Sequence, residues 1–181
     1  MAVSTKLNDE ELAVAVRARD KELYAEIILR YETKLAHYLR KYIRSGDELD
    51  DVLQETFIKA YRNLFDFDEN RRFSPWIYRI AHNEAINHLK KYRKEIISIE
   101  PEELEIVDSK LNLAEKVDGV LAKEKIERAL SQLKNKYRDP LVLYFFEQKS
   151  YEEIGDILHL PVSTVGVLIM RGKEILKKYL I

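Results

Sequence analysis

The 181 residues contain no cysteine. That excludes a disulfide framework, a thiolate metal site and a cysteine nucleophile, and it suits a reducing compartment. Glycine (five) and proline (four) are scarce, while Leu, Ala, Lys, Glu and Arg are abundant, a mixture that predicts an all-α chain with few turns. The first residues, "MAVSTKLNDEELAVAVRARD", lack the apolar run of a signal peptide, and nothing approaches the roughly 18 apolar residues of a membrane span. A soluble, cytoplasmic protein is expected. Catalytic signatures are missing too. His37, His82, His88 and His159 show no metal-ligand spacing, and there is neither a Gly-rich phosphate loop nor a Ser–His–Asp order. The expectation is a protein that is not an enzyme and holds no metal or cofactor. Glu84 and His88, at i and i+4, read as a hydrogen-bonded pair on one helix face.

What is present is 46% hydrophobic and 35% charged, enough apolar residues for a core and too many for wholesale disorder. The net charge of −1 conceals a pattern. Arg71 to Lys94 holds seven Lys or Arg and one acid, Glu84, whereas "EIISIEPEELEIVDS" (Glu95 to Ser109) holds six acids and no base. A basic face is followed by an acidic tether, and salt confines each field to about 8–10 Å.

Apolar spacing divides the chain. Asn8 or Asp9 caps a first helix, "EELAVAVRARD". In the second, Leu23, Ile27, Leu35, Tyr38, Leu39 and Tyr42 recur in helical steps. "SGD" (Ser45 to Asp47) breaks the chain before a third helix, and Ser74-Pro75 supplies an N-cap and first-turn proline for a fourth. A linker follows, ending before Ala114 to Lys125, and a smaller helical unit begins at about Lys123, in which Ser150 and Glu153 form a capping box. Two helical domains on an acidic linker are expected: 1–95, a linker over 96–122, and 123–181.

Three surfaces stand out. On the third helix Val52, Leu53, Phe57, Ala60 and Leu64 form the inner stripe. Asp51, Gln54, Glu55, Ile58 and Arg62 lie opposite, a solvated face except that Ile58 at its centre suits a partner-binding patch. Next, "YRNLFDFDENRRFSPWIYRIAHN" interleaves Tyr61, Phe65, Phe67, Phe73, Trp76 and Tyr78 with arginines. Phe65 and Trp76 are the expected core members; the remainder offers π-faces and cations suited to single-stranded nucleic acid. The fourth helix presents Arg79, Asn83, Ile86, Asn87, Lys90 and Lys94 away from Ile77, Ala81 and Ala85, with groups for base edges and phosphates. Finally, "LPVSTVGVLIMRGKEIL" has the layout of the second helix of a helix-turn-helix. Val165, Leu168, Ile169, Gly172, Ile175, Leu176 and Tyr179 face inward. Ser163, Gly166, Val167, Met170, Glu174 and Lys178 face outward, with Arg171 and Lys177 on one flank. Val167 or Met170 against thymine methyls, Ser163 and Thr164 near phosphates, and Arg171 or Lys173 on phosphates or bases would give a readout dominated by shape.

Together these segments resemble a sigma factor of RNA polymerase, of the short extracytoplasmic-function type, from about Asp20 to Leu180. "DDVLQETFIKAYRNLFDF" is similar to the family's D-x-x-Q-[ED]-x-F segment. The resemblance implies that Asp51, Gln54, Glu55, Ile58 and Arg62 grip the clamp helices of the largest subunit of core RNA polymerase. "RRFSPWIYRIAHNEAINHLKKYRK" resembles the F-x-x-W-L-x-x-I-A-x-N segment that captures and melts the minus-ten promoter element. It implies base capture around Asp66 to Phe73, with Phe67, Arg71, Arg72, Arg79, Asn83, Asn87 and Lys90 along the DNA. The acidic stretch is similar to the family's linker. "SYEEIGDILHLPVSTVGVLIMRGKEIL" resembles the helix-turn-helix for the minus-thirty-five element, implying contacts from Ser163, Thr164, Val167, Met170, Arg171 and Lys173. The chain departs from the family at His159, where glycine is usual, at Gly166 and Leu168, where lysine and arginine are common, and at Asn87, often aspartate. Two other readings compete: a helix-turn-helix regulator acting without polymerase, and a helical adaptor whose Val167 and Met170 dock an anti-sigma partner. The first leaves the aromatic-basic block and the Gln54–Ile58–Arg62 face without a purpose.

Overall fold

The computed structural model describes residues 7–18, 20–97, 125, 126 and 128–180, with residues 92–97 described by backbone alone. Most of the expected linker over 96–122 and the Lys94 side chain therefore lie outside the described residues. All regular elements among the described residues are helical: α1 (Asp9–Arg17), α2 (Tyr24–Leu39), α3 (Gly46–Arg62), α4 (Phe73–Ile97), α5 (Asn135–Phe145), α6 (Tyr151–Leu158) and α7 (Val162–Leu180). Short 3₁₀ turns at Lys21–Leu23 and Leu64–Asp66 lead into α2 and follow α3.

Helices α1–α4 form the first unit. Asn8 caps α1 as expected: its side chain accepts from the Glu11 N–H at 2.8 Å while Glu11 accepts from the Asn8 N–H at 2.9 Å. Asp9 ties α1 to α2, accepting from Arg30 at 2.8 Å and from the Tyr31 hydroxyl at 2.6 Å. The inner stripes then close on one another: Ile27, Tyr31, Leu35, Tyr38 and Leu39 from α2, Leu49, Val52, Leu53, Phe57 and Ala60 from α3, and Phe73, Ile77, Ala81 and Ala85 from α4. Each large side chain so buried stabilises the unit by about 1.5–3 kcal/mol. Thr56, buried in the same stripe, donates to the Val52 carbonyl at 2.7 Å and so leaves no unpaired hydroxyl.

Four expectations need correcting here. Helix α4 begins at Phe73 rather than behind a Ser74 cap, because the Phe73 N–H donates to the Glu10 carboxylate of α1 at 2.8 Å. Pro75 still falls in the first turn, where no N–H is required. Phe65 is 73% exposed, whereas Phe67 (3%) and Phe73 (0%) are core and Trp76 leans on both. The 3₁₀ turn after α3 changes the register, rotating Leu64 and Phe67 inward and Phe65 out. Glu84 and His88 do not pair with each other; both reach across to α3, Glu84 to Lys59 at 2.6 Å and His88 to Glu48 at 3.2 Å. On α7, Val165, Ile169 and Gly172 are buried and Ile175 and Leu176 half-buried, but Tyr179 projects beyond the core and is 53% exposed.

Helices α5–α7 form the second unit. Ser150 and Glu153 make the expected capping box at the start of α6. Helices α6 and α7 meet at 99°, within the range of a helix-turn-helix. The turn is tight: a Cβ at Gly155 would stand 2.7 Å from the Leu160 carbonyl oxygen, so only glycine fits. His159 ends α6 in the left-handed region (φ 55°, ψ 47°). That geometry accounts for glycine being usual at this position in the family that the sequence resembles.

Candidate nucleic-acid interface

Helix α3 buries Leu49, Val52, Leu53, Phe57 and Ala60, and its period of 3.6 leaves Asp51, Gln54, Ile58 and Arg62 exposed on one line, with Glu55 half-buried beside them. Ile58 is 37% exposed at the centre, next to Tyr61 at 37%. This is the apolar spot within a polar ring that partner-binding faces present.

Helix α4 shows a second line. Asn83, Asn87 and Lys90 are exposed and Arg79 is half-buried at its upstream end. Before it, the loop from Asp66 to Phe73 borders an open cleft of about 410 Å³ lined by Asp9, Glu10, Glu69, Asn70, Arg71, Arg72, Ser74 and, from α6, Glu153, so that its two arginines stand among four carboxylates. Phe67, expected among the DNA-contacting residues, is packed inside against Phe73 and Trp76 and offers no face for stacking. Phe65, which the sequence placed in the core, is the most exposed aromatic of this segment, ahead of Tyr61.

The arginines of this surface are already engaged by the second unit. Arg71 meets the Asp156 carboxylate at 2.5 Å, Arg72 meets Glu153 at 3.3 Å, and Arg79 Nε donates to the Asp156 backbone carbonyl at 2.7 Å. Burial holds the Arg79 guanidinium below its ordinary range, opposed by Asp156. Lys149 donates to Ser74 Oγ at 2.8 Å and lies over the Tyr78 ring, and burial lowers its affinity for a proton. Below these contacts runs a polar seam. The Tyr78 hydroxyl donates to Glu147 at 2.8 Å, the Tyr38 hydroxyl bonds His82 Nδ1 at 2.9 Å, and the Tyr42 hydroxyl donates to Asp139 at 3.2 Å. Burial, aided by Arg138, pushes the His82 imidazole down to about 4, and burial pushes the Asp139 carboxyl up to about 6. The two lie 3.9 Å apart. With those values there is no pH at which both are predominantly charged, so the contact is polar rather than an ion pair.

On α7 the outward face is as expected: Ser163, Val167, Met170 and Arg171 are exposed and Thr164 is half-buried. Val167 and Met170 are 41% and 55% exposed. Lys173 is exposed but its ammonium rests over the Phe145 and Tyr144 rings of α5, at 4.9 and 5.6 Å, so reaching a phosphate requires it to leave them. The seam residues Asp139, Glu147 and Lys149 escaped sequence reasoning because nothing local marks them. The one available signal was the pair of acids, Glu153 and Asp156, three residues apart and opposite in sign to the block at 71–79.

Comparison with known proteins supplies the family. The model of sigma-70 region 2 matches residues 27–95 and that of sigma-70 region 4 matches residues 123–176. The ECF RNA polymerase sigma factor SigW of Bacillus subtilis is 34% identical over 177 residues, covering 91% of this chain and 92% of that protein. The RNA polymerase sigma-H factor of Pseudomonas aeruginosa is 33% identical, covering 97% and 95%. Among solved structures, the sigma factor RpoE of Bartonella quintana, in complex with the anti-sigma factor NepR, shares the fold with a TM-score of 0.70 at 20% identity, covering 87% of this chain and 96% of that one. Helices α2–α4 thus carry the region 2 match, with α1 before it, α5–α7 carry the region 4 match, and the chain belongs to the extracytoplasmic-function sigma factors of the sigma-70 family.

Proposed function

We propose that the exposed line of α3 (Asp51, Gln54, Glu55, Ile58 and Arg62) is the grip on core RNA polymerase, and that the cleft and outer line of α4 (Arg71, Arg72, Arg79, Asn83, Asn87 and Lys90) take the non-template strand of the minus-ten element. A sigma factor binds core polymerase and directs promoter recognition; the finer assignment rests on one observation. Two chemically distinct surfaces, one with an apolar centre and one rich in amides and cations, sit on adjacent helices of a single packed unit. Melting on such a surface needs no catalytic group or cofactor, only capture of bases that leave the stack, at a few kcal/mol each. The upstream element falls to Ser163, Thr164, Val167, Met170, Arg171 and Lys173. The functional units run over 1–95 and 123–181, joined by the acidic linker 96–122, and the protein works in the cytoplasm.

Equilibrium binding to promoter-free core polymerase tests the grip. Ile58→Glu is expected to weaken binding about 100-fold, as burying a charge at an interface centre does. Equal affinity of variant and wild type would remove α3 from the interface. A second partner fits the apolar part of α7. Val167 and Met170 suit the docking of an anti-sigma protein of the kind that the Bartonella relative binds.

A further inference from the structure

A second cleft, of about 340 Å³, opens where the end of α2 meets α5. The cleft beside the 66–73 loop sets its arginines among carboxylates. This one is lined by His37, Arg40, Lys41, Arg44 and Arg138, and none of its lining residues is acidic. We propose that it is a binding site for a small ligand carrying linked phosphates, the chemistry shared by nucleoside di- and triphosphates and inorganic polyphosphate. The site is independent of the assignments of α3 and α4 to polymerase and DNA.

Part of this charge has a local reason. A helix C-terminus favours cations, and His37, Arg40 and Lys41 stand at that end of α2. Arg138 has no such reason. It comes from the other side of the cleft, at the end of the first turn of α5, where the helix dipole opposes a cation and no acid in that turn offsets it. Its guanidinium is fixed over the Tyr42 ring, 4.8 Å from the centroid, with Nε donating to Asp139 at a long 3.4 Å. Its Nη2 is buried and has no hydrogen-bond partner among the described residues. Buried donors without a partner are rare and costly, and charged ones more so. A phosphate oxygen seated in the cleft, reached by a small shift of the side chain, supplies the missing acceptor.

The remaining groups suit the same ligand. Arg40 and Arg44 are exposed and make no ion pair among the described residues, so their planar forks are available to phosphate oxygens. Lys41 is steadied over the Phe146 ring at 4.6 Å, and His37 by Glu147 at 3.2 Å. Leu130 and Val142 complete the wall, with the Ser131 hydroxyl beside them. Charge sets the ligand class. A single phosphate carries about −1.5 to −2 at neutral pH, too little for the permanent cations of Arg40, Lys41, Arg44 and Arg138, whereas linked phosphates match them. Shape points the same way, because a concave site of this size encloses a small ligand. Since its walls come from α2 and from the second unit, a bound ligand ties the two together.

Titration calorimetry on the full-length chain tests the site, with ATP, tripolyphosphate and inorganic phosphate as probes in magnesium-free buffer of constant ionic strength. ATP or tripolyphosphate is expected to bind saturably, about tenfold or more tighter than inorganic phosphate. At ten times its dissociation constant it should raise the thermal midpoint by about 3–5 °C. Tighter binding of ATP assigns the site to nucleotides, and equal or tighter binding of tripolyphosphate assigns it to the inorganic polymer. Arg40→Gln with Arg44→Gln is expected to weaken binding about tenfold. Lys21→Gln with Lys177→Gln, which removes as much charge at exposed positions outside the cleft, should stay within about twofold of wild type. Ser131→Trp fills the cleft without changing charge and is expected to abolish saturable binding, while its melt without ligand stays cooperative.

Inorganic phosphate binding as tightly as the linked phosphates would mean an adventitious ion only. Equal losses from the two double variants would reduce the effect to net charge, and full affinity in Ser131→Trp would move the ligand out of the cleft. A random 20-nucleotide single strand that loses affinity in Ser131→Trp as ATP does would give the cleft to a nucleic-acid backbone instead. Each of these results overturns the proposal.

Discussion

Where α4 turns Asn83, Asn87 and Lys90 outward, α7 turns Val167 and Met170, and the inner faces of the two helices differ as well. Helix α7 is held by Val165, Ile169 and Gly172, a wholly apolar contact, whereas α4 packs through Ile77, Ala81 and Ala85 but also carries His82 into a buried polar seam. On the proposed assignment the first helix thus combines amides and a cation suited to bases and phosphates with a titratable anchorage. The second is fixed by packing alone and offers DNA little beyond its shape and a flank of cations. Sequence discrimination should accordingly concentrate on α4, with α7 setting position.

Promoter opening gives the sharpest test of that division. Asn83→Ala with Lys90→Ala removes a base-edge group and a phosphate contact, which should cost about 3–4 kcal/mol, a few hundredfold in open-complex formation, with core affinity unchanged. Alanine at both Val167 and Met170 should cost no more than about threefold. Equal losses from the two helices would break the comparison.

The inner faces are separated by pH. The folded Asp139 carboxyl, raised to about 6, contributes stability that is fully present below the ordinary carboxylate range and is lost as pH rises through 6. The folded His82 imidazole, lowered to about 4, contributes stability that is present above its ordinary value near 6.5 and is lost as pH falls through 4. The two slopes oppose each other, so wild-type stability should be nearly flat between about pH 4 and 6. Asp139→Asn removes one of them. Urea unfolding of that variant should lose about 2–3 kcal/mol between pH 6.5 and 4, as the remaining histidine predicts. A flat profile would place His82 in water rather than in the seam.

Smaller effects are expected around α7. His159→Gly relieves a left-handed backbone and should stabilise the protein by about 1 kcal/mol, read as a raised midpoint in thermal melts. Met170→Arg adds a cation to the apolar face and should tighten binding to upstream duplex DNA two- to threefold, at about 0.5 kcal/mol, while steepening the salt dependence by roughly one counterion. If arginine at 170 gains nothing, Met170 does not face the duplex.

Much of the fold could be read locally. Asn8 with Glu11 and Ser150 with Glu153 are caps whose partners lie three residues away, and the stripes of α3, α4 and α7 follow from a single period. What could not be read depends on distant partners. The start of α4 is set by Glu10, 63 residues back, and Glu84 and His88 prefer partners on α3 over each other. Phe65 and Phe67 exchange roles because a 3₁₀ turn, invisible in apolar spacing, rotates the chain between them. The candidate surfaces were legible as helix faces, but their occupation was not: the Arg71–Asp156 contact spans 85 positions. Charge pattern suggests that such blocks attract each other without saying where they meet.

Glu10 has a consequence of a different kind. Its carboxylate holds the first N–H of the helix assigned to melting, so the phase of that helix, and with it the direction in which Asn83 and Lys90 point, is set from the far end of the unit. Proteolytic trimming that removed α1 would take away this anchor together with the buried Leu12, Ala13 and Val16, freeing the start of α4 to unwind. Damage at the N-terminal side would therefore be felt on a surface that lies more than sixty residues further along the chain.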